Sequence, residues 1–208
     1  KNKTGTGVYS EEIIKAYQER FEEDDITHAY RLSRWLRGRE YLLPLGERGK
    51  RRILVDPISA PLGLGFDVFH GLNTRLPVLW NALKVATVHD LFSIFGKFSD
   101  EKFLIDQSAK LSKMIKRADQ IIVPASFTKR DLISKMGVPS DKISVVGEGV
   151  RKIYLGPIEK QKSQQSVQIK WTINEPFLLF VGTLEKRKNL VGLIRAFEEL
   201  KKVRPQPL

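Results

Sequence analysis

Residues 177–198, PheLeuLeuPheValGlyThrLeuGluLysArgLysAsnLeuValGlyLeuIleArgAlaPheGlu, constrain the fold of this chain more than any other stretch. A short apolar run at 177–181, with Pro176 before it and Gly182 after it, has the length and composition of a strand buried on both faces of a parallel sheet. Leu190, Leu193, Ile194, Phe197 and Leu200 then recur at helical spacing as one apolar stripe, with Arg195, Glu198, Glu199, Lys201 and Lys202 on the other faces. The turn between strand and helix holds Gly182, Arg187 and Lys188. Such a turn leaves unpaired backbone N–H groups at the helix start, and two adjacent cations reinforce that anion site. A phosphate is the economical ligand. The same strand, turn and basic helix start also occur in doubly wound units that bind nothing, so spacing alone leaves both readings open.

Length and composition narrow the class. A chain of 208 residues accommodates one large domain, or one domain and part of another. Its 41% hydrophobic and 29% charged content is that of a globular protein with a sizeable core, and no apolar run approaches the roughly 20 residues that cross a bilayer. The first residues, LysAsnLysThrGlyThrGlyVal, lack the apolar core of a secretory signal. Zero cysteines exclude disulfides, thiolate metal sites and cysteine nucleophiles, and fit a reducing compartment. With three His and no carboxylate at ligand spacing from them, a metal site is not expected.

The net charge of +12, from 36 Lys plus Arg against 24 Asp plus Glu, calls for an anionic partner or a reason to tolerate self-repulsion. Nucleic acid is disfavoured, because no zinc module, helix-turn-helix or basic and aromatic interleaving on a sheet is visible. A membrane surface is better supported by TyrArgLeuSerArgTrpLeuArgGlyArg at 30–39 and LysLeuSerLysMetIleLysArg at 110–117, where basic and apolar residues alternate. Two solvated amphipathic helices explain the same pattern and are preferred.

Along the chain, Gly5 and Gly7 precede Ser10, which reads as an N-cap for a helix with Ile13, Ile14, Tyr17 and Phe21 on one stripe. A Gly-x-Gly opening a helix is either a weak phosphate fingerprint or a flexible turn plus cap. Residues 27–37 read as strand then helix, and 39–52, basic and broken by Pro44, Gly46 and Gly49, as loop. Strands are expected at 66–73 and 84–91, each placing a His, His70 or His89, near its carboxyl end, where open α/β sheets bind ligands. Asp90 either orients the His89 ring or caps the following turn. A long helix at 100–118 carries Leu104, Ser108, Leu111, Ile115 and Ala118 on one face. A buried strand follows at 118–126, then a helix from Ser126 stopped by Gly137 and Pro139, then a short strand within 140–150. The polar stretch 151–170 suits an interdomain linker.

ValGlyThrLeuGluLysArgLysAsnLeu with LeuIleArgAlaPhe, ThrValHisAsp at 87–90, and the AlaAsp…Ser-x-PheThrLys-x-AspLeu…LysIle segment of 118–143 together closely resemble glycosyltransferase family 4, retaining enzymes built from two facing Rossmann-like domains, the GT-B fold. The likeness is strong over 84–150 and 177–198 and weak over 22–66. It implies an α/β fold: a Rossmann-like domain with a parallel sheet at 1–155, a linker at 156–172, and the first strand and helix of a truncated nucleotide-sugar domain at 173–208. It also implies that a strand precedes Lys1.

On this resemblance the donor diphosphate meets Gly182, Arg187 and Lys188, with Gly5 and Gly7 facing the donor phosphates, His89 reaching the donor sugar, and Asp90 and Ser126 in support. His70 is expected to be structural. The donor would be a GDP- or UDP-sugar, with no metal and no further cofactor, and the acceptor a sugar, a polysaccharide or a lipid-linked glycan. The expected setting is cytoplasmic, with peripheral contact on the inner membrane face left open. Two departures stand out: Thr183 replaces an Arg that many members carry after the glycine, and Glu148–Gly149 replaces an Asn-Gly pair. Family members also carry a Glu-x7-Glu segment further along, beyond Leu208, so the chain by itself is expected to be an inactive fragment. The competing class is a non-enzymatic basic module for a membrane surface or anionic polymer.

Overall fold

Helices and strands are interspersed along the first three quarters of the chain, and among the described residues every strand pair is parallel, which makes this an α/β protein. The computed structural model describes residues 5–37, 49–55, 65–72, 75–79, 81–95, 101–175 and 177–204. The chain divides into two compact units, Lys1–Gly149 and Val150–Leu208.

The first unit opens with α1 (Gly5–Arg20), β1 (Thr27–Arg31), α2 (Leu32–Trp35) and β2 (Lys50–Leu54). It continues with β3 (Val68–Gly71), β4 (Leu83–Thr87), α3 (Phe92–Phe95), α4 (Glu101–Arg117), β5 (Gln120–Val123), α5 (Ser126–Met136) and β6 (Ile143–Val145). β1 pairs with β2, from Thr27 opposite Lys50 to Arg31 opposite Leu54. The second sheet has the order β3-β4-β5-β6, with α3 and α4 linking β4 to β5, and α5 linking β5 to β6. Sequential parallel strands joined through helices are what the alternating pattern of 84–150 predicts.

The core lies where these helices meet the sheet. Ala86, Ile121, Val123 and Ile143 from the strands pack with Leu111, Met114 and Ala118 around α4, with Leu132 of α5, and with Val138. Gly137 ends α5 in the left-handed conformation at φ 64°, its N–H bonding back to the last turn, which a residue without Cβ adopts at little strain. Several cations close backbone ends here. Lys142 Nζ donates to the Ile115 carbonyl at 2.9 Å, Arg117 to Leu76 O at 2.8 Å, and Lys129 to both Ser140 O and Ile143 O. Part of the basic excess therefore serves the fold.

Two expectations are corrected in this unit. Gly5 and Gly7 lie in the first turn of α1 and not in a loop before it, and Ser10 is not the N-cap: inside the helix, its Oγ donates back to Thr6 O at 2.8 Å. The basic run expected to be loop enters β2 at Lys50, because β1 offers it a parallel ladder and the long side chains of Lys50, Arg51 and Arg52 stay exposed while Leu54 is buried. Residues 38–48 lie outside the described ones. The segment 110–117 turns its apolar residues inward, with Leu111 and Met114 almost fully buried, so that face is core.

The second unit contains α6 (Lys160–Trp171) and α7 (Leu190–Val203). α6 lies within the polar stretch read as a linker. Twelve residues with neither Gly nor Pro, rich in Gln and Lys, meet no obstacle to a helix, and none of them is buried. The strand expected at 177–181 is absent: the segment is irregular and Leu179 and Val181 are largely exposed. A strand needs a neighbour to pair with, and no described residue of this unit forms one. α7 forms as its periodicity predicts, but its apolar stripe is not buried.

Candidate active site

β4 ends at Thr87, and the chain runs on in register, Val88 N donating to Ile122 O of β5 at 2.9 Å. Val88 is buried, which fixes the direction in which His89 leaves the sheet. On the other side of β5 the chain after β6 behaves likewise, Val146 N donating to Val123 O at 2.9 Å. The two extensions bring Glu148 to His89, with Nδ1 and Oε1 3.1 Å apart. His89 Nε2 lies 3.4 Å from the carbonyl oxygen of Leu72, which follows β3. Tyr9 of α1 meets the imidazole edge-on, ring centroids 4.7 Å apart at an interplanar angle of 88°. The chain just past the carboxyl ends of β3, β4 and β6, and the start of α1, thus converge on one imidazole.

The sequence offered His89 only the adjacent Asp90 as a carboxylate partner, and the structure supplies Glu148, from 59 positions away. Glu148 stood out in the sequence only as a departure from Asn, and the contact depends on strand order, which spacing does not carry. Asp90 turns to the capping role: its Oδ1 accepts from Phe92 N at 3.0 Å at the start of α3. Gly5 and Gly7 lie in the helical turn before Tyr9, and an added Cβ at Gly5 would meet nothing within 4 Å. Ser126 is exposed at the start of α5 and is not drawn to His89 by any hydrogen bond among the described residues.

His70 lies away from this arrangement. Its Nε2 is 2.8 Å from Thr87 Oγ1, tying β3 to β4, and Tyr17 stands edge-on at 6.4 Å. Burial lowers its pKa below the ordinary 6.5. His28 on β1 is buried too, with no hydrogen-bond partner for either ring nitrogen among the described residues, and burial followed by the nearby Arg51 charge lowers its pKa. A ring whose folded pKa is depressed stabilises the fold fully above its unfolded pKa and loses that contribution as pH falls toward the folded value. Urea midpoints of the chain should therefore decline as pH is lowered from about 7 through about 6 and below. His70→Gln should make that decline shallower, with His28 keeping part of it. An equal slope in the variant would remove His70 as a cause.

In the second unit, the turn after Gly182 winds through a 3-10 turn at Lys186–Lys188 into α7, with Asn189 between them at φ 49°. Glu185 organises it. Thr183 Oγ1 donates to Glu185 Oε1 at 2.6 Å, and Arg187 Nε pairs with the other carboxylate oxygen. The Thr183 hydroxyl first, then Arg187, hold the Glu185 carboxyl below its usual range. Thr183, where a cation was the commoner expectation, thus serves as a carboxylate anchor. Lys188 is exposed, its N–H bonded to Glu185 O at 2.9 Å. Chemically the turn presents three successive cations before a helix, Arg187 braced by a carboxylate and Lys186 and Lys188 exposed.

Comparison with known proteins bears on the first unit above all. The profile of Glycosyltransferase Family 4 matches residues 5–152. O-antigen chain mannosyltransferase B of Escherichia coli is 27% identical over 137 residues, which is 64% of this chain and 35% of that protein. The chain thus spans about a third of the length of the curated relative it matches. Among the described residues no helix is long and apolar enough to cross a membrane. The matched segment contains the β3-β4-β5-β6 sheet together with Tyr9, Leu72, His89 and Glu148, and a match of that extent shows that the chain belongs to glycosyltransferase family 4.

Proposed function

We propose that a polypeptide carrying this chain together with a complete second domain transfers a sugar from a nucleotide-sugar donor to a polysaccharide or lipid-linked acceptor, with retention of anomeric configuration. The observation that carries this reading is the imidazole of His89, held at the carboxyl end of a parallel sheet by Glu148, Leu72 and Tyr9 inside the family-matched segment. His89 contacts the donor sugar. Arg187, Lys188 and the amides from Gly182 onward neutralise the departing diphosphate, which is charge stabilisation where charge develops. The relative's name favours a mannosyl donor and an acceptor that is a growing glycan chain.

A surface-binding module has less support, since the apolar residues of 110–117 lie in the core and Arg117, Lys129 and Lys142 bond backbone carbonyls. The test is release of nucleoside diphosphate by the longer polypeptide, offered GDP- and UDP-sugars with a glycan acceptor, and the anomeric configuration of the product by NMR. Release with one donor and a retained anomer is expected, together with little or no turnover by the 208-residue chain alone. No release with any donor, or an inverted product, would overturn the reading.

A further inference from the structure

Glu148 approaches His89 through a contact that needs explaining on its own terms. The side chain of Glu148 is 50% exposed and that of His89 17% exposed, so as an ion pair the contact contributes little to stability. Its consequence is chemical. An ionised carboxylate only accepts hydrogen bonds, so Glu148 can pair with Nδ1 only when that nitrogen carries a proton. The opposite nitrogen faces the Leu72 carbonyl at 3.4 Å, near the limit for a hydrogen bond; a carbonyl only accepts, so this contact is a hydrogen bond only in the doubly protonated ring, and the neutral ring protonated on Nδ1 leaves Nε2 to a ligand. Tyr9, edge-on to the ring, restricts its rotation. Asp90, the neighbouring carboxylate, is engaged with Phe92 N.

We propose that Glu148 is a positioning residue for His89: it holds the proton on Nδ1 and aims Nε2 at the bound sugar donor. This rests on the donor-contact reading of His89 given above. In a neutral ring fixed in this way, Nε2 carries the lone pair and accepts from a sugar hydroxyl. When the ring is doubly protonated, Nε2 donates to a sugar or phosphate oxygen. In both states the same atom faces the ligand, and the carboxylate two strands away determines which atom that is.

The test uses the 208-residue chain and needs neither donor nor acceptor, so it is read separately from sugar transfer. Long-range nitrogen–proton NMR spectra of the imidazole are recorded with the pH raised until the ring is neutral, for wild type, Glu148→Ala and Glu148→Gln. Wild type should carry its proton on Nδ1. Glu148→Ala should lose it to Nε2, and Glu148→Gln, whose amide oxygen still accepts, should keep a measurable share on Nδ1. A wild-type ring protonated on Nε2, or an alanine variant with an unchanged tautomer, would overturn the proposal. Amide spectra of the variants confirm that the sheet is intact. In the longer polypeptide, Glu148→Ala should lower kcat with KM changed less, and Glu148→Gln should recover part of the loss.

Discussion

Replacing both Arg187 and Lys188 by glutamate is expected to weaken binding of UDP or GDP by about a hundredfold or more in a polypeptide that carries the complete second domain. Each cation lost from a charge-assisted hydrogen bond to phosphate is worth roughly 1.5–3 kcal/mol, and two such losses compound to two or more orders of magnitude. Reversal adds repulsion. At Arg187 it also places a second carboxylate beside Glu185, which at present Thr183 and Arg187 hold in its ionised form. The fold should tolerate the change, because both residues sit in an exposed 3-10 turn with no buried neighbour on it. The informative control reverses Lys113 and Lys116, exposed residues of α4, which alters net charge by the same amount. Calorimetric titration should show nucleotide affinity lost in the first variant and kept in the second. If the two variants lost affinity equally, with steep dependence on salt, the chain would be binding through overall charge and the phosphate assignment would fail.

What the sequence discloses about this fold follows from how local the causes are. β4, β5 and α5 are legible because their signals lie within a few residues: the apolar ValAlaThrVal run, the alternation that buries Ile121 and Val123, and Gly137 where a left-handed residue must end the helix. The segment 177–181 has an equally good local signal but pairs with no strand among the described residues, and it stays irregular. Pattern specifies which strand a segment would make, and only pairing makes it one. α6 shows the opposite case, since a polar composition suits a linker and an exposed helix alike. GlyThrGly at 5–7 reads as a loop because Gly disfavours helix interiors, yet a helix's first turn tolerates it.

The candidate residues of each unit divide along the same line. In the first unit the sequence marks His89 as a candidate by its place at a strand's end, and in the second it marks Arg187 and Lys188 by their place after a glycine turn. Glu148 as a partner, Tyr9 as a wall and Glu185 as a brace are not, because each role comes from a contact that the fold or a side-chain rotamer creates. The capping role of Asp90 was open in the sequence and is decided by a single hydrogen bond to Phe92.

Ile121→Ala should produce the largest loss of stability in the first unit and should disturb the site without touching it. Ile121 is fully buried at the centre of the sheet, opposite Ala86 of β4 and Ile143 of β6, both also in the core. Truncating such a side chain costs about 2–5 kcal/mol, from lost transfer energy and the cavity left behind. That is a large share of the ~5–15 kcal/mol by which a domain of this kind is stable. β5 is also the strand that holds both halves of the site: Ile122 O accepts from Val88, next to His89, and Val123 O accepts from Val146, two residues before Glu148. Loosening β5 should speed amide exchange at Val88 and Val146 and weaken the His89–Glu148 contact. Ile122→Ala, on the more open face of the same strand, should lose less. Urea midpoints measured by circular dichroism, with exchange rates at the two amides, separate these outcomes. Equal losses from Ile121→Ala and Ile122→Ala would mean that the core does not lie on the face the strand register assigns to it.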